Sequence, residues 1–172
     1  KEGREMLLGL CGCVVQATGD YLAERVPFLD FAVGPQAYHR LPEMLARIAR
    51  QKPNELLIDT DFPAESKFDY LPQTGQSASS SFLAIQEGCD RFCTYCVVPY
   101  TRGAEYSRPV EEVLAEARRL AENGACEITL LGQNVNAWHG EAKDGREWNL
   151  ARLIHAIAEI DKIKRIRYTT SY

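Results

Sequence analysis

FLAIQEGCDRFCTYC, residues 82–96, is the stretch on which the reading of this chain turns. Phe82 to Gln86 is a short, mostly apolar run, the pattern of a buried strand. Cys89, Cys93 and Cys96 follow directly, three thiols at C-x3-C-x2-C spacing. Such a loop leaving the end of a strand lies where β/α barrels keep their active-site loops. Three thiolates are enough to hold three corners of a [4Fe-4S] cubane, and the fourth iron is then left without a protein ligand.

An open metal position is where a substrate binds. The amino and carboxylate groups of S-adenosylmethionine (SAM) suit that iron. One electron from the cluster then breaks the sulfonium bond, giving methionine and a deoxyadenosyl radical, while the protein orients the reactants. Two other readings compete. A zinc site normally closes with four ligands, commonly from paired C-x2-C units. No second pair lies nearby, and no histidine occurs between His39 and His139. An electron-transfer module holds its cluster with four cysteines, and the loop offers three. His39, His139 and His155 show no ligand spacing and are read as structural or surface residues.

Outward from the loop, a helix is expected from about Pro109 to Asn123. Proline suits its first turn, Glu111 and Glu112 suit its positive end, and Asn123-Gly124 suits a stop. Val110, Val113, Leu114, Ala117, Leu120 and Ala121 form its apolar stripe. A strand follows at Glu127 to Leu131. Leu150, Leu153, Ile154, Ile157 and Ala158 mark another helix, and Ile166 and Tyr168 a third strand. Three β/α units in order match the opening of a (β/α) barrel. A last strand with no helix after it predicts that the chain is a fragment of a longer protein.

Upstream, residues 1–62 also alternate. Met6 to Leu10 reads as a strand, Ala17 to Val26 as a helix and Phe31 to Val33 as a strand ended by Gly34-Pro35. Leu41, Met44, Leu45, Ile48 and Ala49 follow the spacing of an amphipathic helix. This βαβα order favours a parallel sheet. Between the two halves, residues 63–81 carry Pro63, Pro72, Gly75 and the run Ser77-Ala78-Ser79-Ser80-Ser81, the composition of a linker. The expected fold class is α/β, with domains at 1–62 and 82–172.

The 172 residues are 45% hydrophobic and 26% charged, which marks a globular rather than a disordered chain. The net charge of −4 leaves no whole-chain basic field for nucleic acid. The run Lys162, Lys164, Arg165, Arg167 is a local basic patch, read first as a solvated turn and second as an RNA contact. Arg102 and Arg108, beside the cysteine loop, are read first as solvated loop residues. Contact with RNA phosphate or the SAM carboxylate is the second reading. The most apolar run, Met6 to Val15, is interrupted by Gly9 and Gly12 and falls short of the roughly 20 residues a spanning helix needs. No membrane and a cytoplasmic location are expected, with no secretory signal pattern. In a reducing compartment, clustered thiols bind metal or do redox chemistry rather than form disulfides.

GCDRFCTYCVVPYTRG (88–103), SRP (107–109), LLGQNVNAW (130–138) and GPQAYHRLPE (34–43) together resemble the radical SAM methylthiotransferases, and within them the tRNA-modifying MiaB group. The likeness covers nearly the whole chain. The string Gly132 to Trp138 carries the subgroup assignment against sister groups that modify a ribosomal protein or another tRNA adenosine derivative.

The resemblance implies the C-terminal part of a methylthiotransferase domain, followed by the first β/α units of a radical SAM, partial TIM-type barrel. It implies a tRNA substrate, with a methylthio group added at carbon 2 of N6-isopentenyl-adenosine beside the anticodon. SAM serves there as methyl donor and as radical source, with an electron donor protein and a sulfur source as partners. It implies a second, auxiliary [4Fe-4S] cluster. Cys13, in the family's G-C-x-x-Q context at Gly12 to Gln16, is its expected ligand, with two partner cysteines before residue 1. The fragment alone is therefore expected not to complete a turnover. Tyr95 packs near the adenine of SAM or in the core. Gly132, Gln133 and Asn134 are expected to bind SAM, with Asn134 at its amino acid part or else capping a turn. Cys11 and Cys126 are read as small residues packed in the core. Thr169-Thr170-Ser171 also fits the family, which places histidine where Tyr172 stands.

Overall fold

The structure, a computed structural model, describes residues 6–19, 21–50, 56–63, 67–70 and 79–169. Most of the expected linker, 64–66 and 71–78, and the end at 170–172 lie outside the described residues. The chain divides into two compact units. One comprises residues 1–72 with 100–102, and the other 73–99 with 103–172.

The first unit is built on a parallel three-stranded sheet. Strands β1 (Gly9–Cys11), β2 (Phe31–Val33) and β3 (Leu57–Asp59) lie in that order, with Gly9 opposite Phe31 and Phe31 opposite Leu57. Helices α1 (Cys13–Thr18) and α2 (Tyr21–Arg25) follow β1, and α3 (Leu41–Arg50) follows β2. Strand side chains alternate between faces. Phe31 and Val33 therefore pack with Ile48 and Ala37, while Ala32 packs with Val15 and Leu22. A central strand buried on both faces suits a parallel sheet. The helix expected over 17–26 is instead two short ones. Gly19, at φ 43°, leaves helical geometry and ends the first. The first strand is displaced toward Cys11 from the expected Met6 to Leu10, and Met6 is exposed.

The second unit carries another parallel sheet. Strands β4 (Ser80–Ala84), β7 (Glu127–Leu131) and β10 (Arg165–Thr169) run with β7 in the centre. The remaining elements, in chain order, are β5 (Gln86–Glu87), α4 (Val98–Arg102, whose residues 100–102 belong to the first unit), β6 (Tyr106–Ser107), α5 (Val110–Glu122), β8 (His139–Glu141), β9 (Glu147–Asn149) and α6 (Leu150–Ala158). The expected α5 stripe is wholly buried, all six residues. It meets Leu83, Ile128 and Leu130 from the sheet and Leu153 and Ile157 from α6 in one core. Asn149 caps α6, its Oδ1 accepting from Arg152 N at 3.0 Å.

In-register pairing fixes where the loops emerge. Ala84 and Thr169 both lie opposite Leu131, so all three strands end at one edge of the sheet. The opposite edge is tied electrostatically. Ser80 Oγ donates to Glu127 Oε1 at 3.0 Å, and Arg165 and Arg167 reach Glu127 Oε2 at 3.0 and 3.2 Å. Ser80 first, then the two arginines, hold the Glu127 carboxyl below the ordinary glutamate range. The basic run is thus largely engaged inside the unit, with Lys164 Nζ donating to Asp161 O at 2.6 Å.

Candidate functional site

The cysteine loop leaves the edge where β4 and β7 end. It is bracketed by the antiparallel pair β5 and β6, with Gln86 opposite Ser107 and Glu87 opposite Tyr106. Four further bonds fix its backbone. Gly88 N donates to Gln133 Oε1 at 2.7 Å and Cys89 N to Gly103 O at 3.3 Å. Glu105 N donates to Asp90 Oδ1 at 3.0 Å, and Cys96 N to Cys93 O at 2.9 Å. Gly88 sits at φ 74°, and a Cβ there would collide with Ala104 O, so only glycine fits.

All three thiols are free. Cys89 is buried at the root of the loop, and Cys93 and Cys96 are half-exposed beyond it. Phe92 is the one described non-glycine residue with positive φ, at 47°. A left-handed step there costs about 1–2 kcal/mol and turns the chain immediately before Cys93. Among the described residues, no group of three or more His, Cys, Asp or Glu side chains is arranged to hold a metal ion.

Tyr95 is 87% exposed, which removes core packing as its role. Gly132, Gln133 and Asn134 follow β7 directly, on the edge shared with the cysteine loop. Asn134 is buried. Its N–H donates to Gln86 Oε1 at 3.0 Å, and its carbonyl accepts from Ala137 N at 2.9 Å. Two residues that spacing did not single out, Gln86 and Gly88, therefore join the loop to the β7 edge. The signal was a polar residue and a glycine closing an otherwise apolar strand.

Several expectations are corrected. Arg108 is buried, not a solvated loop residue. Its Nη1 donates to Ala84 O at 2.7 Å and to Glu116 at 2.8 Å, which ties the start of α5 to the end of β4. RNA phosphate and the SAM carboxylate have no access to it in this arrangement. Cys11 ends β1 and Cys126 precedes β7, but both are exposed rather than packed in a core. Cys126 Sγ donates to Ser79 O at 3.2 Å.

Cys13 opens α1 and is half-exposed. The first unit includes residues 100–102, and within it Arg102 Nε donates to Cys13 Sγ at 3.2 Å. Gln16, from the same G-C-x-x-Q string, is held by its Nε2 on Thr60 O at 2.7 Å. No described helix is long and apolar enough to cross a membrane.

Comparison with known proteins bears on both units. Residues 83–172 match the radical SAM superfamily. The chain is also 57% identical to the tRNA-2-methylthio-N(6)-dimethylallyladenosine synthase of Paracoccus denitrificans (strain Pd 1222). That alignment covers 99% of this chain and 37% of the relative's length.

Proposed function

The chain belongs to the radical SAM superfamily, and from that premise we propose that it forms the cluster-binding part of a methylthiotransferase that modifies isopentenyl-adenosine in tRNA. The observation that carries the reading is a loop with three free thiols, rooted on the edge where three parallel strands end. The donor set fits a [4Fe-4S] cluster held at three corners. Cys89 would ligate from the buried root, and Cys93 and Cys96 from the outer turn. When bound, the cluster supplies the electron that cleaves the sulfonium bond of SAM.

The chain's own residues supply position and shelter. The bonds to Gly88 N and Cys89 N fix the first ligand's backbone before loading. Gly132 and Asn134 form the neighbouring lip, on which the amino acid part of SAM would rest. The exposed ring of Tyr95 offers a face for adenine. Cys13 would serve an auxiliary cluster in the first unit, where Arg102 donates to its sulfur. A methylthiotransferase domain followed by a partial barrel accounts for the two parallel sheets. The expected partners are tRNA, an electron donor protein and a sulfur source, in the cytoplasm.

The test is chemical. The native protein carrying this sequence is produced in a host whose own tRNA methylthiotransferase gene is deleted. Mass spectrometry of the digested tRNA is expected to show 2-methylthio-N6-isopentenyl-adenosine restored, and Cys93→Ala to remove it. Restoration of a methylthio group on a protein, with the tRNA unchanged, would contradict the substrate assignment.

A further inference from the structure

Two glutamine contacts, one buried and one partly buried, join the cysteine loop to the β7 edge in opposite directions. Gln86, 2% exposed, reaches across to accept from Asn134 N at 3.0 Å. Gln133 reaches back to accept from Gly88 N at 2.7 Å. Each acceptor is a side-chain amide oxygen, and each donor is a backbone N–H one or two residues after the other glutamine. The space around them is closed. A Cβ at Gly132 would come within 2.7 Å of Gln86 Oε1 and 3.0 Å of Gln86 Cβ, and one at Gly88 would meet Ala104 O. Gly132 thus lets the β7 edge approach Gln86 closely enough for the exchange, while Gly88 lets the chain pass Ala104 at the root of the cysteine loop.

We infer that Gln86 and Gln133 form a reciprocal amide clamp, and that Gln133 is a positioning residue that acts on the cluster through Gly88 and Cys89 rather than by touching SAM. The inference rests on the cluster reading for its chemistry but on geometry alone for the clamp. Gly88 immediately precedes Cys89, so a bond that fixes the Gly88 N–H also fixes the direction in which the first ligand leaves β5. A side chain whose amide oxygen is already committed at 2.7 Å is poorly placed to offer that atom to a ligand. Gln86 Nε2 is buried with no partner among the described residues. The hydrogen bond that Gln86 makes through its side chain is the one its oxygen accepts from Asn134 N.

Gln133→Met keeps length and volume but removes the acceptor. Gln133→Glu keeps an acceptor oxygen. Two measurements on the anaerobically purified protein separate positioning from general stability. The first is amide hydrogen exchange without the cluster. Gly88 is expected to be protected in the unsubstituted protein and in Gln133→Glu. It should exchange freely in Gln133→Met, while amides of β4 and β7 keep their protection. The second is iron release to a chelator after loading, expected about tenfold faster in Gln133→Met, the size of one lost hydrogen bond, and restored in Gln133→Glu. Equal Gly88 protection in all three proteins, or iron release unchanged in Gln133→Met, overturns the clamp. Should the unsubstituted protein take up no iron, the cluster reading fails, and exchange at Gly88 still decides the clamp.

Discussion

At the scale of single residues, the site rests on a few atoms with no substitute. Cys93→Ala leaves two thiols in the loop, too few for a cubane with one open corner. Bound iron is expected to fall to the level of loop-independent sites, and deoxyadenosine production from SAM to stop, measured by iron assay and chromatography. Gly88 is a second such residue. Gly88→Ala forces a side chain to φ 74° and against Ala104 O. The conformational strain alone costs roughly 1–3 kcal/mol, so urea unfolding should show at least that loss together with reduced iron uptake. Gly88 was legible in the sequence as part of a motif, whereas its positive φ and its bond to Gln133 arise from chain segments 45 residues apart.

At the scale of elements, periodicity was a good guide wherever burial sets it. The spans of β2, β7 and α6 agree with the sequence pattern, and every residue of the expected α5 stripe is buried. Leu153 lies in that core at 0% exposure. Leu153→Ala is therefore expected to cost about 2–5 kcal/mol in chemical unfolding while leaving the loop thiols in place. Short or surface elements were less legible. The hairpin of β8 and β9 carried only an Asp144-Gly145 turn signal, and the pair β5 and β6 is two residues long on each side. The break between α1 and α2 depends on Gly19, which the apolar spacing passes over. Cys11 and Cys126 look apolar by residue type yet are exposed, because type does not report which side of an edge position faces water.

The charge cluster at the other end of the sheet makes a pH prediction for β4, β7 and β10 together. The Glu127 carboxyl is held below its ordinary range in the folded state. Its contribution is then fully present above that range, roughly pH 4 to 5, and is lost as pH falls through the lower folded value. Glu127→Gln should be less stable than the unsubstituted protein at neutral pH, and the gap should close in acid. Urea midpoints at neutral pH and at about pH 3 check the sign.

At the scale of the whole molecule, two units each carry one parallel sheet, and each presents cysteine at a strand end: Cys13 after β1 in the first, the three-thiol loop after β4 in the second. The chain spans 37% of the length of its tRNA-modifying relative, so the chemistry proposed for the loop is the part of the reaction most directly testable on these residues. Electron paramagnetic resonance of the anaerobically loaded, reduced protein, with and without SAM, reads that loop alone when Cys13 is replaced by alanine. A [4Fe-4S] signal whose g values shift on adding SAM is the predicted result. A cluster signal that SAM leaves unchanged, or a protein that binds zinc and no iron, would contradict a cubane held by Cys89, Cys93 and Cys96 with one iron open.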